Sequence, residues 1–89
     1  MRQVQLSTQV VDYIRRLPPI PKKRIRSALK GLRKLEGDLK ELEEPLEGYT
    51  RLRMYQFRVI LSIQPDSVDC IFIERRSILY EIFESDFLQ

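Results

Sequence analysis

The residues with chemical potential in this chain are arginines, and they recur at strand spacing. The segment Tyr49-Thr50-Arg51-Leu52-Arg53-Met54 sets two guanidinium groups two positions apart, so on a strand both project from one face. Arg58 follows a short turn, and Arg75 and Arg76 end the next apolar run, which brings these cations from three neighbouring strands. Like charges held this close repel one another. Proteins tolerate that cost where an anion is expected, and the forked guanidinium matches phosphate oxygens better than an ammonium does. For any single arginine the plainer reading is stronger: a solvated residue paired with a nearby glutamate, worth ~0–1 kcal/mol. The group together favours an anion site, because Arg51, Arg53 and Arg58 have no acidic residue two positions away on their own strands.

What is missing narrows the chemistry further. The chain has no His and one Cys, which excludes the standard zinc sites and the Ser-His-Asp and Cys-His arrangements. Any catalysis must run on Arg, Lys, Tyr, Asp or Glu, and neither a metal nor a cofactor is expected. Sixteen Lys and Arg against 13 Asp and Glu leave +3 at pH 7, which permits a polyanionic partner without demanding one. Cys70 lies in an apolar run and reads as a buried thiol in a reducing compartment. The start, Met1-Arg2-Gln3-Val4-Gln5-Leu6, lacks the apolar stretch of a signal peptide, and no segment approaches the ~20 apolar residues of a membrane span. A cytoplasmic protein with no membrane partner is expected.

These cations need a scaffold, and 89 residues allow one domain, 1–89, with one core. Residues 2–6 alternate through Val4 and Leu6 as a short strand. Ser7 or Thr8 can cap a helix whose stripe is Val10, Val11, Ile14 and Leu17, stopped by Pro18 and Pro19. Pro21 suits the first turn of a second helix with Ile25, Ala28, Leu29, Leu32 and Leu35 inward. Its basic residues, among them Lys22, Lys23 and Arg26, project elsewhere. Gly37-Asp38 ends that helix, and the acidic run from Glu36 to Glu47 reads as a solvated connector. From Tyr49 the period changes to two: Leu52 and Met54, then Phe57, Val59, Leu61 and Ile63, then Val68, Cys70 and Phe72. Tyr55-Gln56 and Pro65-Asp66-Ser67 are short enough for hairpin turns. Ser77 can cap a last short helix with Ile78, Ile82 and Phe83 inward. The fold class is therefore α+β: an antiparallel sheet of about four strands, an N-terminal helical hairpin packed on one face and a short C-terminal helix. Whether the first strand sits at an edge or in the centre is open.

The stretch Leu46-Glu47-Gly48-Tyr49-Thr50-Arg51-Leu52-Arg53-Met54-Tyr55-Gln56-Phe57-Arg58-Val59-Ile60 resembles the RelE/ParE superfamily of toxins from type II toxin–antitoxin systems. The shared order is a Gly, an aromatic, basic-Leu-basic, a tight turn, then aromatic-Arg-Val-Ile. Glu74-Arg75-Arg76-Ser77-Ile78-Leu79-Tyr80 is similar to the later family segment in which an Arg precedes a Tyr by four residues. With the helical hairpin, the likeness spans nearly the whole chain.

The resemblance implies a RelE-like fold and, for the ribonuclease branch, metal-independent cleavage of messenger RNA on the ribosome. In that reaction the ribose 2′-hydroxyl attacks the adjacent phosphate. The family's catalytic positions map onto Arg51, Arg53, Arg58, Arg76 and Tyr80, with Arg75, Lys22, Lys23 and Arg26 as further RNA contacts. Guanidinium groups can stabilise the developing phosphorane, and Tyr80 can exchange a proton or stack on a base. Tyr80 also serves equally well as a helix aromatic packed on the sheet. Two departures stand out, since this chain has Arg at both positions of the basic pair and Glu74 where a His is frequent. Arg is a poor proton shuttle, so Glu74 or Tyr80 are the alternatives as general base. The resemblance also implies a cognate antitoxin, whose acidic amphipathic segment covers the arginines and the groove beside the helical hairpin. A gyrase poison of the ParE type and a non-cleaving RNA-binding relic share the same fold and remain open.

Overall fold

The computed structural model describes residues 1–79. Tyr80, and the inward positions Ile82 and Phe83 assigned to the terminal helix, lie outside them. The elements run β1 Gln3–Leu6, α1 Thr8–Arg15, α2 Pro19–Gly31, a 3-10 turn Leu32–Lys34, β2 Asp38–Glu41, β3 Thr50–Met54, β4 Phe57–Ile63 and β5 Ser67–Arg75. Residues 76–79 then turn into helix. No helix among the described residues is long and apolar enough to cross a membrane.

The sheet has five strands in the order β1-β5-β4-β3-β2. That corrects the expectation of about four antiparallel strands in two respects. β1 lies at an edge and pairs parallel with β5, so the sheet is mixed. The second is β2, which forms within the acidic run read as a connector and pairs antiparallel with β3. Asp-Leu-Lys-Glu has little strand preference of its own, and Leu39 is its only partly buried apolar residue. The open edge of β3 supplies the backbone partners, so tertiary context outweighs local preference.

The helical hairpin forms where the caps and prolines demand. Ser7 Oγ accepts from Val10 N at 3.2 Å, and Pro19 opens α2. The inward faces of both helices, through Val10, Ile14, Ile25 and Leu29, meet Leu52, Met54, Phe57, Val59, Leu61, Val68, Cys70 and Ile73 from one face of the sheet. Cys70 sits inside this core, and burial pushes its thiol up to about 12. Beyond Leu6, where β1 ends, α1 takes over the exposed edge of β5. Ser7 Oγ donates to Ile71 O at 2.7 Å. Gln9 then acts as a one-residue strand: its Nε2 donates to Ile73 O at 2.8 Å and its Oε1 accepts from Ile73 N at 2.9 Å. Edge groups that would otherwise stay unpaired are thereby satisfied.

A register shift in β5 matters more for the site. Leu61 pairs with Cys70 but Ile60 pairs with Phe72, so Ile71 is an extra residue in a bulge. The apolar alternation Val68, Cys70, Phe72 is corrected accordingly: Ile73, fully buried, takes the next core position, and Phe72 turns to the opposite face. A one-residue slip exchanges the faces of everything after it. Glu74 is thus delivered to the face that carries Arg58.

Candidate functional site

The β3–β4 hairpin closes through Met54 opposite Phe57, with Tyr55-Gln56 as its turn. Tight closure fixes the register beyond it. Arg53 lies directly opposite Arg58, and Arg58 directly opposite Glu74 on β5. All three belong to the sheet face away from the helical hairpin, since Leu52, Met54, Phe57, Val59 and Ile73 occupy the other. Just past β5, Arg76 N donates to Gln56 O at 2.7 Å, which ties the start of the terminal helix to the hairpin turn. The result is a cleft of about 750 Å³ lined by Arg53, Arg58, Arg75 and Arg76 together with Tyr55, Gln56 and Ser77.

Arg58 is the fixed point of this cleft. Only 3% of it is exposed, and its Nη1 donates to both Tyr55 O and Phe57 O at 2.8 Å. A guanidinium removed from water costs several kcal/mol on the order of magnitude expected for a buried ion, even after relaxation. Charge-assisted bonds to two carbonyls offset part of that cost. They also hold the planar group in one orientation beside other cations, which is the preorganisation an anionic transition state rewards.

Arg51 shares the face but stands one row away, opposite Ile60, and does not line the cleft. Its Nη2 lies 3.8 Å from Asp38 Oδ1 on β2. Asp38 is a diagonal partner on the neighbouring strand, which residue spacing along β3 does not reveal. Because Asp38 is 57% exposed, the pair contributes little, ~0–1 kcal/mol. Lys22, Lys23 and Arg26 are not brought to the cleft. Lys22 Nζ donates to Arg15 O at 3.1 Å at the end of α1, and Lys23 is exposed on α2. Arg26 lines a separate groove of about 360 Å³, whose apolar floor includes Val4, Leu6, Ile14 and Leu29 and whose rim carries Arg15, Lys30 and Arg33.

Two further features were not anticipated. Glu74 Oε1 accepts from Tyr13 Oη at 3.0 Å and from Arg75 N at 2.9 Å, so one carboxylate oxygen is committed to holding α1 against β5. Burial first, and Glu74 second, push the Tyr13 phenol up to about 12, against a lowering influence from Arg75. Tyr13 is therefore a fastener and a poor proton donor at neutral pH. The other feature is Tyr55, 65% exposed at the cleft mouth with φ 55, with Arg24 of α2 stacked 5.2 Å from its ring centroid. A bulky aromatic at a turn position that favours glycine or asparagine was the available signal.

No protein-family model and no curated sequence matches the chain. Solved structures do. A chain of the RelB–RelE antitoxin–toxin complex from Methanococcus jannaschii superposes with TM-score 0.70 at 18% identity, over 89% of this chain and 98% of that one. The fold is that of the RelE-type toxins. The archaeal RelE–RelB complex from Pyrococcus horikoshii aligns at TM-score 0.63 and 24% identity, over 84% of this chain and 94% of that one. The YoeB–YefM complex from Staphylococcus aureus gives TM-score 0.66 at 19% identity, over 85% and 98%. Coverage of 84–89% of this chain and 94–98% of the others means that the RelE-type fold accounts for most of the architecture.

Proposed function

We propose that this chain is the toxin of a type II toxin–antitoxin pair and cuts messenger RNA on the ribosome without a metal. The observation that carries this reading is the convergence of Arg53, Arg58, Arg75 and Arg76 on one cleft around a guanidinium anchored by two 2.8 Å bonds. Such a site suits a phosphodiester. The ribose 2′-hydroxyl is an internal nucleophile, so its attack needs orientation and charge stabilisation more than an activated water. Arg58 and Arg76 stabilise the phosphorane, Arg53 and Arg75 hold the backbone, and Arg51 extends the basic face along the strand. Tyr80 exchanges a proton or stacks on a base, with the second carboxylate oxygen of Glu74 as the alternative base. Lys22 and Lys23 contact RNA or ribosome outside the cleft.

The partner is a cognate antitoxin. The groove beside the helical hairpin has an apolar floor and a wholly basic rim, Arg15, Arg26, Lys30 and Arg33, which suits an acidic amphipathic segment. Arg26 then serves that partner as well as RNA.

Mapping RNA ends minutes after induction of the chain tests the reading. Truncated messages are expected, and Arg76→Ala or Tyr80→Phe should abolish them together with growth arrest. Intact messages accompanied by broken DNA would instead identify a gyrase poison on the same fold.

A further inference from the structure

We propose that Tyr55 is a nucleobase-stacking platform that positions a single-stranded RNA base beside the phosphate held by the arginine cleft. The inference rests on the RNA reading above and adds a binding residue to it. Four observations combine. Tyr55 occupies the first turn position with φ 55, a left-handed conformation that Gly or Asn takes easily and a bulky side chain does not. Its ring contributes nothing to the core, being 65% exposed, so burial does not offset the strain of that turn position. Arg24 covers one side of the ring at 5.2 Å, and Tyr55 lines the cleft together with Arg53, Arg58 and Arg76. Finally, the turn is clamped from the cleft itself: Arg58 Nη1 donates to Tyr55 O at 2.8 Å and Arg76 N to Gln56 O at 2.7 Å.

An aromatic face held at a fixed offset from a phosphate site is what a nucleotide needs, because its base and its phosphate are bound by different chemistries. Arg24 behind the ring restrains its orientation and enhances its affinity for an electron-rich base. Every base has a π-face, so the platform adds affinity and register with little sequence preference. Tyr55 touches the base and none of the reacting atoms, which makes it a positioning residue.

The test is fluorescence anisotropy with a short, labelled, 2′-O-methyl single-stranded RNA that cannot be cut, and a series carrying one abasic position at a time. For the parent chain, one abasic position should weaken binding roughly 5- to 150-fold, the range for a lost stacked base. Tyr55→Asn, which accepts the left-handed turn, should bind the intact RNA weaker by a similar factor and lose nothing further at that abasic position. Tyr55→Phe should behave as the parent. Thermal unfolding of Tyr55→Asn at or near the parent midpoint certifies the fold, and Tyr55→Gly replaces it otherwise. If Tyr55→Asn binds intact RNA like the parent, or still discriminates against the abasic position, the platform is refuted while the RNA reading stands. A parent chain that binds no RNA at low salt overturns both.

Discussion

Replacing Arg58 by Met separates a cation kept for function from one kept for stability. Met fills a similar volume along the side-chain stem and removes the charge. Two charge-assisted hydrogen bonds, to Tyr55 O and Phe57 O at 2.8 Å each, are lost at ~1.5–3 kcal/mol apiece, or roughly 3–6 kcal/mol together. Against this, a group only 3% exposed no longer bears the several kcal/mol of desolvation that a buried ion carries, on the order of the same 3–6 kcal/mol. Repulsion from Arg53, directly opposite on β3, also disappears, as does attraction to Glu74, directly opposite on β5. The terms nearly cancel, and the expected net change in stability is within about 2 kcal/mol. Activity should fall far more, by about 10²–10³-fold, as when one preorganised donor to a developing oxyanion is removed. Urea unfolding of the purified variant measures the first quantity, and the rate of message cleavage after induction measures the second. A variant destabilised by more than about 4 kcal/mol, or one that is stable and still cleaves at the parent rate, refutes the assignment of Arg58 as the anchored cation of the site.

The remaining predictions concern the frame around the cleft. Gln9→Ala removes both bonds to the Ile73 backbone and should cost about 1–3 kcal/mol, with faster hydrogen exchange at the Ile73 amide; unchanged exchange would show that α1 does not seal the β5 edge. Gly37→Ala places a Cβ 2.8 Å from Leu52 Cδ1 on a backbone at φ 122, so a loss of ~1–3 kcal/mol is expected, and an unaltered midpoint counts against the packing of β2. Cys70 and Tyr13 each have a folded-state value of about 12, above the ordinary 9.0 and 10.0. Both favour the neutral form in the folded chain, so their contribution is complete below pH 9 and is lost as pH rises towards 12. Tyr13→Phe and Cys70→Ala should each flatten that alkaline decline, and a parent whose stability holds through pH 12 would contradict both burial arguments.

Much of this protein can be read along the chain because the signals are local. Ser7, Pro18 and Pro19 delimit the helices through capping and a missing amide hydrogen, and Tyr55-Gln56 closes a hairpin short enough to fix which residues face one another. From that closure alone, Arg53 and Arg58 must share a face. The arginine types and the lack of His likewise confine the chemistry whatever the fold.

Other features depend on distant partners. β2 exists because β3 has an open edge, although Asp-Leu-Lys-Glu itself does not favour a strand. The place of β1 beside β5 follows from closing the sheet, which short-range periodicity does not encode. The bulge at Ile71 is a one-residue change of register, invisible in an unbroken apolar run, yet it decides that Phe72 leaves the core and Glu74 joins the face of Arg58. The anchoring of Arg58 on two carbonyls, the diversion of Arg51 to Asp38 and the posture of Tyr55 against Arg24 are likewise tertiary. Residue type determines which interactions a side chain can make, and only the folded arrangement decides which partner is within reach.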